Sequence, residues 1–262
     1  MDLRTPVCEL LGCDVPIVLA GMGGVARSEL AAAVSEAGGF GFMGMVREPP
    51  ELITSEVAAV RARTGRAFGV NLIPAATRPE LLAAELDACL AAEVPVVALF
   101  WDLAAEIVAR LRAAGVRVVC QVGSAHEARA AEDAGAEIII AQGVEAGGHV
   151  RGMMPLMDLL PQVLAAVRIP VLAAGGLVDG DDLAAVMRLA LRAGCSAPPS
   201  WRRRNPSPTS STSDGSSKPA LARRSTPTTS ISTGRRTPPS ACCPTASRAA
   251  SGVIPWRAAR PG

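Results

Sequence analysis

The chain has 262 residues, 49% of them hydrophobic, which suffices for one large α/β domain with a substantial core. Aromatic residues make up only 3% and tyrosine is absent, which argues against nucleic-acid binding by base stacking. The net charge of +2 averages two unlike parts: residues 1–182 carry 13 Lys and Arg against 23 Asp and Glu, whereas residues 183–262 carry 13 against 1.

Seven cysteines (Cys8, Cys13, Cys89, Cys120, Cys195, Cys242 and Cys243) make no Cys-x-x-Cys pair and no zinc-type cluster with the two histidines. They read as thiols of a reducing compartment. The opening stretch MDLRTPVCELLGCDVPIVLA lacks the basic start and long apolar core of a signal peptide. No run reaches the roughly 20 apolar residues of a membrane span, so a cytoplasmic protein with no membrane partner is expected.

In chain order, short apolar, often β-branched runs alternate with alanine-rich stretches of helical periodicity. VPIVLA (15–20) predicts a first strand, and AGMGG a turn before the helix SELAAAVSEAG. FGFMG (40–44) and AFGVNLI (67–73) are the next two strands, separated by the helix PELITSEVAAVRARTG. After PELLAAELDACLAAE come a strand read loosely over 95–101 around VPVVALF, then DLAAEIVARLRAAG and VRVVCQV (116–122). AHEARAAEDAG, EIIIAQ (137–142), MDLLPQVLAAV and IPVLAAGG (169–176) complete the pattern, with glycine at most helix stops. Continuous apolar strands between amphipathic helices imply parallel strands covered on the outside. Seven in regular succession predict an α/β protein of the (β/α)8 TIM-barrel type, although an open doubly wound sheet also accommodates seven strands. Polar and glycine-rich residues cluster at the strand ends, where barrel active sites are built. An eighth βα unit should follow DGDDLAAVMRLA, and none is visible, so residues 1–190 read as an incomplete barrel domain.

Residues 191–262 form a tail of Ser, Thr, Pro and Arg with no stretch able to make a buried strand or amphipathic helix. One reading is a basic disordered tail that binds an acidic partner, making the chain a non-catalytic binding protein. The other is a shifted reading frame: SWRRRNP (200–206) can be back-translated so that the neighbouring frame reads Phe-Leu-Ala-Thr-Glu-Glu-Ser, a strand end and acidic helix start of the kind an eighth unit needs. The nucleotide sequence around codon 190 decides between them.

The strongest local signal is QGVEAGGHVRG (142–152), where Gly147 and Gly148 permit close approach and His149 can take or give a proton near neutral pH. A polar surface histidine is the bland alternative. His126 sits among charged neighbours on a helix and reads as solvated. Gly175 and Gly176 end the seventh strand, where freed N–H groups can cradle a phosphate. Gly21, Met22 and Gly23 suit a backbone laid against a flat ligand, or simply a tight turn. Asn71 and Gln121 are amides on otherwise apolar strands. Left unbonded, a buried amide costs about 1–3 kcal/mol; a heteroaromatic ring edge, or water, would satisfy it. Asp179, Asp181 and Asp182 suit a helix start rather than a metal. No Gly-x-Gly-x-x-Gly opens a helix after a strand, and neither a Walker motif nor a Gly-x-Ser-x-Gly elbow is present.

The segments PIVLAGMGG, AGGFGFMG, FGVNLI, VVCQVGS, AQGVEAGGHVRG and PVLAAGGLVDG, in this order and spacing over roughly residues 5–190, resemble the nitronate monooxygenase (2-nitropropane dioxygenase) family of FMN-dependent TIM barrels. The resemblance implies an oxidoreductase, a flavoprotein monooxygenase that converts alkyl nitronates or nitroalkanes to carbonyl compounds and nitrite with dioxygen. It implies FMN held near Gly21, Met22, Gly23, Asn71, Gln121, Gly147, Gly148, Gly175 and Gly176, with His149 as the catalytic residue. The flavin-containing enoyl-acyl carrier protein reductases of the same superfamily carry a similar EAGGH segment, and FMN-dependent enoyl reduction is the alternative. Where the family has an eighth strand and a Gly-Thr loop on the phosphate, this chain reads RAGCSAPPS. A barrel short of one strand exposes two edges. The chain as written is therefore expected to bind FMN weakly and to aggregate, and a flavin spectrum showing near-stoichiometric FMN would overturn that.

Overall fold

A computed structural model describes residues 4–192; residues 193–262, with most of the tail and the place expected for an eighth strand, lie outside the described residues. The first element is one the sequence reading did not foresee. Helix α1 (Pro6–Leu11) starts on a proline, whose missing N–H costs nothing in a first turn, and stops at Gly12 in the left-handed conformation (φ 74°). Strands and helices then alternate as expected: β1 (Val18–Leu19), α2 (Ser28–Glu36), β2 (Phe40–Gly44), α3 (Pro50–Arg63), β3 (Phe68–Leu72) and, after a short 3-10 turn (Pro74–Ala76), α4 (Pro79–Ala91). They continue through β4 (Val96–Phe100), α5 (Ala105–Ala113), β5 (Arg117–Val122), α6 (Ala125–Ala134), β6 (Ile138–Gln142), α7 (Leu156–Ala166), β7 (Val171–Ala174) and α8 (Gly180–Arg192). The strands are mostly shorter than read: the first contracts from six residues to two, and the fourth ends at Phe100, before Trp101.

All six strand pairings are parallel, and the order in the sheet is β1-β2-β3-β4-β5-β6-β7. A doubly wound sheet needs a point where strand order reverses. None occurs, so the open-sheet alternative is set aside and the fold is the arc of an α/β TIM barrel. Alternation along the strands sorts the core into two clusters. Val70, Leu72, Val97, Leu99, Val118, Cys120, Ile139 and Ala141 pack outward against the helices. Phe40, Phe42, Val96, Ala98, Val119 and Ile138 turn inward and meet Val7, Cys8, Leu11 and Cys13 of α1 and the turn after it. Helix α1 therefore plugs the interior at the amino-terminal end of the strands, leaving the carboxyl-terminal rim for chemistry.

Buried polar groups tie helices to strands. The Ser35 hydroxyl donates to Ala67 O (2.9 Å) and accepts from Gly41 N (3.1 Å), pinning α2 to the starts of β2 and β3. Helix α6 begins with the Ser124 hydroxyl accepting from Glu127 N (3.2 Å) and ends at left-handed Gly135 (φ 103°). His126 is exposed on that helix, as expected. At α8, Asp179 accepts from Asp181 N and Asp182 N, and Asp182 from Val178 N and Asp179 N. These acids are helix caps, as read. No group of side chains suited to a metal ion, and no helix long and apolar enough to cross a membrane, is found among the described residues.

Glu85 on α4 is fully buried (0% exposed) and accepts the Glu48 N–H (3.0 Å), holding the β2–α3 loop, while its second oxygen has no partner. Burial pushes its acid up from an ordinary 4.5 to about 7, against hydrogen bonds from the Glu48 and Arg47 backbone that pull it down. Folding then takes up a proton between those two values. The stabilisation is complete below pH 4.5 and is lost as the pH rises through 7. Glu85→Gln should therefore be more stable than the parent at pH 8, by on the order of 3 kcal/mol at most, and nearly equal to it at pH 4.5. Urea midpoints at the two pH values check this; a parent that gains on Glu85→Gln as the pH rises would refute it.

Candidate active site

The polar residues singled out in the sequence lie on the carboxyl-terminal rim in two groups. The first is built on β1 to β3. The turn after β1 is tightened by Met22 N donating to Ala20 O (2.9 Å) and Ala26 N donating to Met22 O (2.8 Å). Gly23 bridges to Gly44 at the end of β2. The Gly21 backbone lies directly on the Asn71 side chain, and a Cβ at Gly21 would overlap that of Asn71. Gly44 pairs with Asn71 in the sheet, so Gly21, Met22, Gly23 and Asn71 converge. Met22 is exposed and supplies an apolar wall.

The second group is built on β4 to β7. Alternation on β5 turns Gln121 inward with Val119; like Asn71 it is half-buried, and neither side-chain amide has a hydrogen-bond partner among the described residues. The loop after β6 is stapled in several places. The Gln142 amide donates to His149 O (2.8 Å), Val144 N donates to Met154 O (3.0 Å), and the Glu145 carboxylate accepts Leu156 N (3.0 Å) at the start of α7. The glutamate of the EAGGH segment is thus a cap that closes its own loop. Gly175 (φ 119°) and Gly176 (φ 67°) make a turn only glycine adopts without strain, against Ala146 and Glu145 of that loop.

His149 is exposed, and its ring stands edge-on to the Trp101 indole, with centroids 5.9 Å apart and planes at 60°. Its ring nitrogens have no hydrogen-bond partner among the described residues, leaving both available to a ligand. Trp101 and Gln121 also line a cavity of about 110 Å³ with Leu99, Leu103 and Glu127. The two groups share the rim through the sheet, where β3 pairs with β4.

The residues fit a flat cofactor with a hydrogen-bonding edge and an anionic end. Gln142, 4% exposed, has a buried carbonyl oxygen with no partner, an acceptor waiting for a donor. Asn71 and Gln121 offer further amide groups. Among the described residues, the N–H groups of Gly147, Gly148, Gly175 and Gly176 donate to no backbone acceptor, and nothing stands within 4 Å of a Cβ built on Gly147 or Gly148. Successive free N–H groups of this kind form an anion cradle. Burial pushes the thiols of Cys13, Cys89 and Cys120 up to about 12, so these three stay protonated near neutral pH.

Four residues of this site escaped the sequence reading. Gln142 carried the same signal as Asn71 and Gln121, an amide ending an apolar strand. Trp101 was read as strand, yet both it (φ 68°) and Asp102 (φ 54°) are left-handed. Arg151 pairs with Asp102 (2.9 Å) and Glu127 (3.0 Å), and nothing in its sequence context marks that role.

The nitronate monooxygenase family model matches residues 4–194. A 5-hydroxy-7a-methyl-1-oxo-octahydro-indene-4-carboxyl-CoA dehydrogenase from Mycobacterium tuberculosis is 38% identical over 71% of this chain and 52% of its own. A probable nitronate monooxygenase from Staphylococcus aureus is 31% identical over 70% of this chain and 63% of its own. The chain spans about half the length of the first of these relatives. Among solved structures, FabK from Thermotoga maritima superposes with a TM-score of 0.68 at 37% identity, covering 71% of this chain and 59% of that one. A nitroalkane oxidase from Streptomyces ansochromogenes does so with a TM-score of 0.64 at 36% identity, covering 71% and 65%. With a family model spanning its whole described barrel arc and relatives of this identity, the chain belongs to the nitronate monooxygenase family.

Proposed function

We propose that the rim binds FMN and that the site oxidises alkyl nitronates, or the nitroalkanes they form from, to carbonyl compounds and nitrite with dioxygen. The observation that carries this reading is His149: an exposed imidazole whose two nitrogens have no partner among the described residues, on a loop where the N–H groups of Gly147 and Gly148 also meet no acceptor among them. Family membership and the solved nitroalkane oxidase support it. Asn71, Gln121 and Gln142 would hydrogen-bond the ring edge of the cofactor, Gly21, Met22 and Gly23 would lie along it, and Gly147, Gly148, Gly175 and Gly176 would hold its edge and phosphate. Bound flavin would supply the electron transfer to dioxygen. The protein's own share is to place the substrate and manage one proton: His149 takes the proton from the carbon bearing the nitro group, or donates a hydrogen bond to the oxygens of a substrate that arrives as nitronate.

A second reading has an observation of its own. The 38% identical relative is named for a CoA thioester, and FabK superposes with the highest of the quoted TM-scores. The alternative is flavin-dependent oxidoreduction of an acyl thioester, such as enoyl reduction. Two assays with FMN in excess separate them: nitrite release from an alkyl nitronate in air, and NAD(P)H oxidation with a crotonyl thioester. Nitrite is expected, and His149→Ala should lower its rate of formation by about 10²-fold or more. Thioester reduction without nitrite would replace the first reading with the second.

Gly21→Ala gives an independent check on the cofactor. The added Cβ displaces Asn71, and overpacking of this kind costs about 1–3 kcal/mol. FMN affinity, followed by quenching of flavin fluorescence, should fall by at least tenfold. Unchanged affinity in a folded variant would remove the β1 turn from the cofactor site.

A further inference from the structure

We infer that Trp101 is a positioning residue for His149, and that the Arg151–Asp102 ion pair is the clip that holds it in place; the catalytic meaning of this rests on the function proposed above. Trp101 and Asp102 follow β4 as two consecutive left-handed residues, neither of them glycine. Such a backbone costs about 1–3 kcal/mol for each residue and persists only where surrounding contacts enforce it. The contacts here are specific. The Trp101 ring leans on Phe100 (centroids 5.6 Å apart, planes at 32°) and meets the His149 ring edge-on. Asp102 Oδ1 takes Arg151 Nη2 at 2.9 Å, while Arg151 Nε reaches Glu127 Oε1 at 3.0 Å. Glu127 is itself anchored, its other oxygen accepting Gly123 N at 2.8 Å.

Arg151 lies two residues beyond His149 in the same loop, so the β4 turn and the β6 loop are cross-tied twice, once by rings and once by charge. The fixed point between them is the His149 carbonyl on the Gln142 amide. That bond holds the histidine backbone but leaves the ring free to turn about its side-chain torsions. The indole is the ring's aromatic partner among the described residues, and its edge-on contact selects the rotamer. Single surface ion pairs contribute little, roughly 0–1 kcal/mol, and those of Arg151 are 33–60% exposed on the acidic side. The clip therefore holds the turn together with the Phe100 and Trp101 rings, joining Asp102 to Glu127 through one guanidinium.

The chain has only two histidines, which makes the contact visible without any cofactor or substrate. The ring C–H proton resonances of His149, assigned by their persistence in His126→Gln, carry the ring-current shift of the indole. In the full-length chain, Trp101→Leu should move them toward the position of a free imidazole, Arg151→Gln should move them the same way, and those of His126 should stay in place. In nitrite assays with FMN in excess, Trp101→Leu should lower kcat by about 10–100-fold, as expected for a misplaced proton-handling group, with KM within threefold of the parent. Trp101→Phe, which keeps an aromatic edge, should restore most of the rate. Unmoved His149 resonances in a folded Trp101→Leu or Arg151→Gln chain would overturn the inference, as would a loss confined to KM or a Trp101→Phe as slow as Trp101→Leu. If Trp101→Leu does not fold, Arg151→Gln and Trp101→Phe decide it by the same resonances. If the resonances move but the parent makes no nitrite, the assigned reaction fails and the positioning contact stands.

Discussion

Among the described residues, each strand after β1 hydrogen-bonds to the strand before it in sequence, and every pair is parallel. A parallel pair requires a crossover that carries the chain back outside the sheet before the next strand begins. Repeated without reversal, that constraint sends every crossover helix to one face and every loop that follows a strand to one rim. Residues far apart in sequence, such as Met22, Asn71, Trp101 and His149, reach the same end of the molecule for this reason alone. The opposite end has a different use: α1 closes it with Val7, Cys8 and Leu11 against Phe40 and Phe42, leaving one rim open for chemistry.

On that rim, polar side chains and backbone groups divide the labour. The loop between Gln142 and Leu156 is held from within by Glu145 and Gln142 and tied by Arg151 to Asp102 and Glu127 outside it. Gly123 and Gly152 let the β5 and β6 loops touch backbone to backbone; a Cβ on Gly123 would come within 2.6 Å of Gly152 Cα. What such bracing leaves unsatisfied is a short set of groups: one buried amide oxygen, two inward amides, a row of glycine N–H groups and an imidazole. Of these only the Gln142 oxygen is buried, and an unsatisfied buried polar atom costs about 1–3 kcal/mol in a folded protein; the rest are half-buried or exposed groups that water satisfies as well as a ligand does.

The barrel arc was legible because its signals are local. Apolar runs of strand length between helical stretches fix type and order, and Asn71, Gln121 and His149 stand out as polar residues at strand ends. Helix α1 was missed because Val7, Cys8 and Leu11 are too few to show a period, and their reason for being apolar is the barrel interior they fill. Trp101 was misread because an aromatic residue after Val96–Phe100 continues a strand pattern; only backbone angles reveal the turn. Arg151 was invisible for a plainer reason. An arginine looks the same in sequence whether it is solvated or paired, and its partners lie 49 and 24 positions away.

The sheet's two ends show how far this arc depends on further pairing. Strands β2 to β6 are almost wholly buried, whereas both residues of β1 and all four of β7 are only half-buried. The difference is not one of sequence, since VL and VLAA are as apolar as the interior strands. It follows from position: among the described residues, β1 and β7 each have a strand on one side only. Apolar surface left in water forgoes about 25 cal/mol per Å², and an unpaired parallel edge also leaves its N–H and C=O groups to solvent or to another chain. Gly175 and Gly176 sit at the tip of one of these edges, and the Gly21–Gly23 turn follows the other. The two glycine turns assigned to the cofactor therefore stand on the least buried strands of the sheet, so whatever pairs those edges also steadies the site.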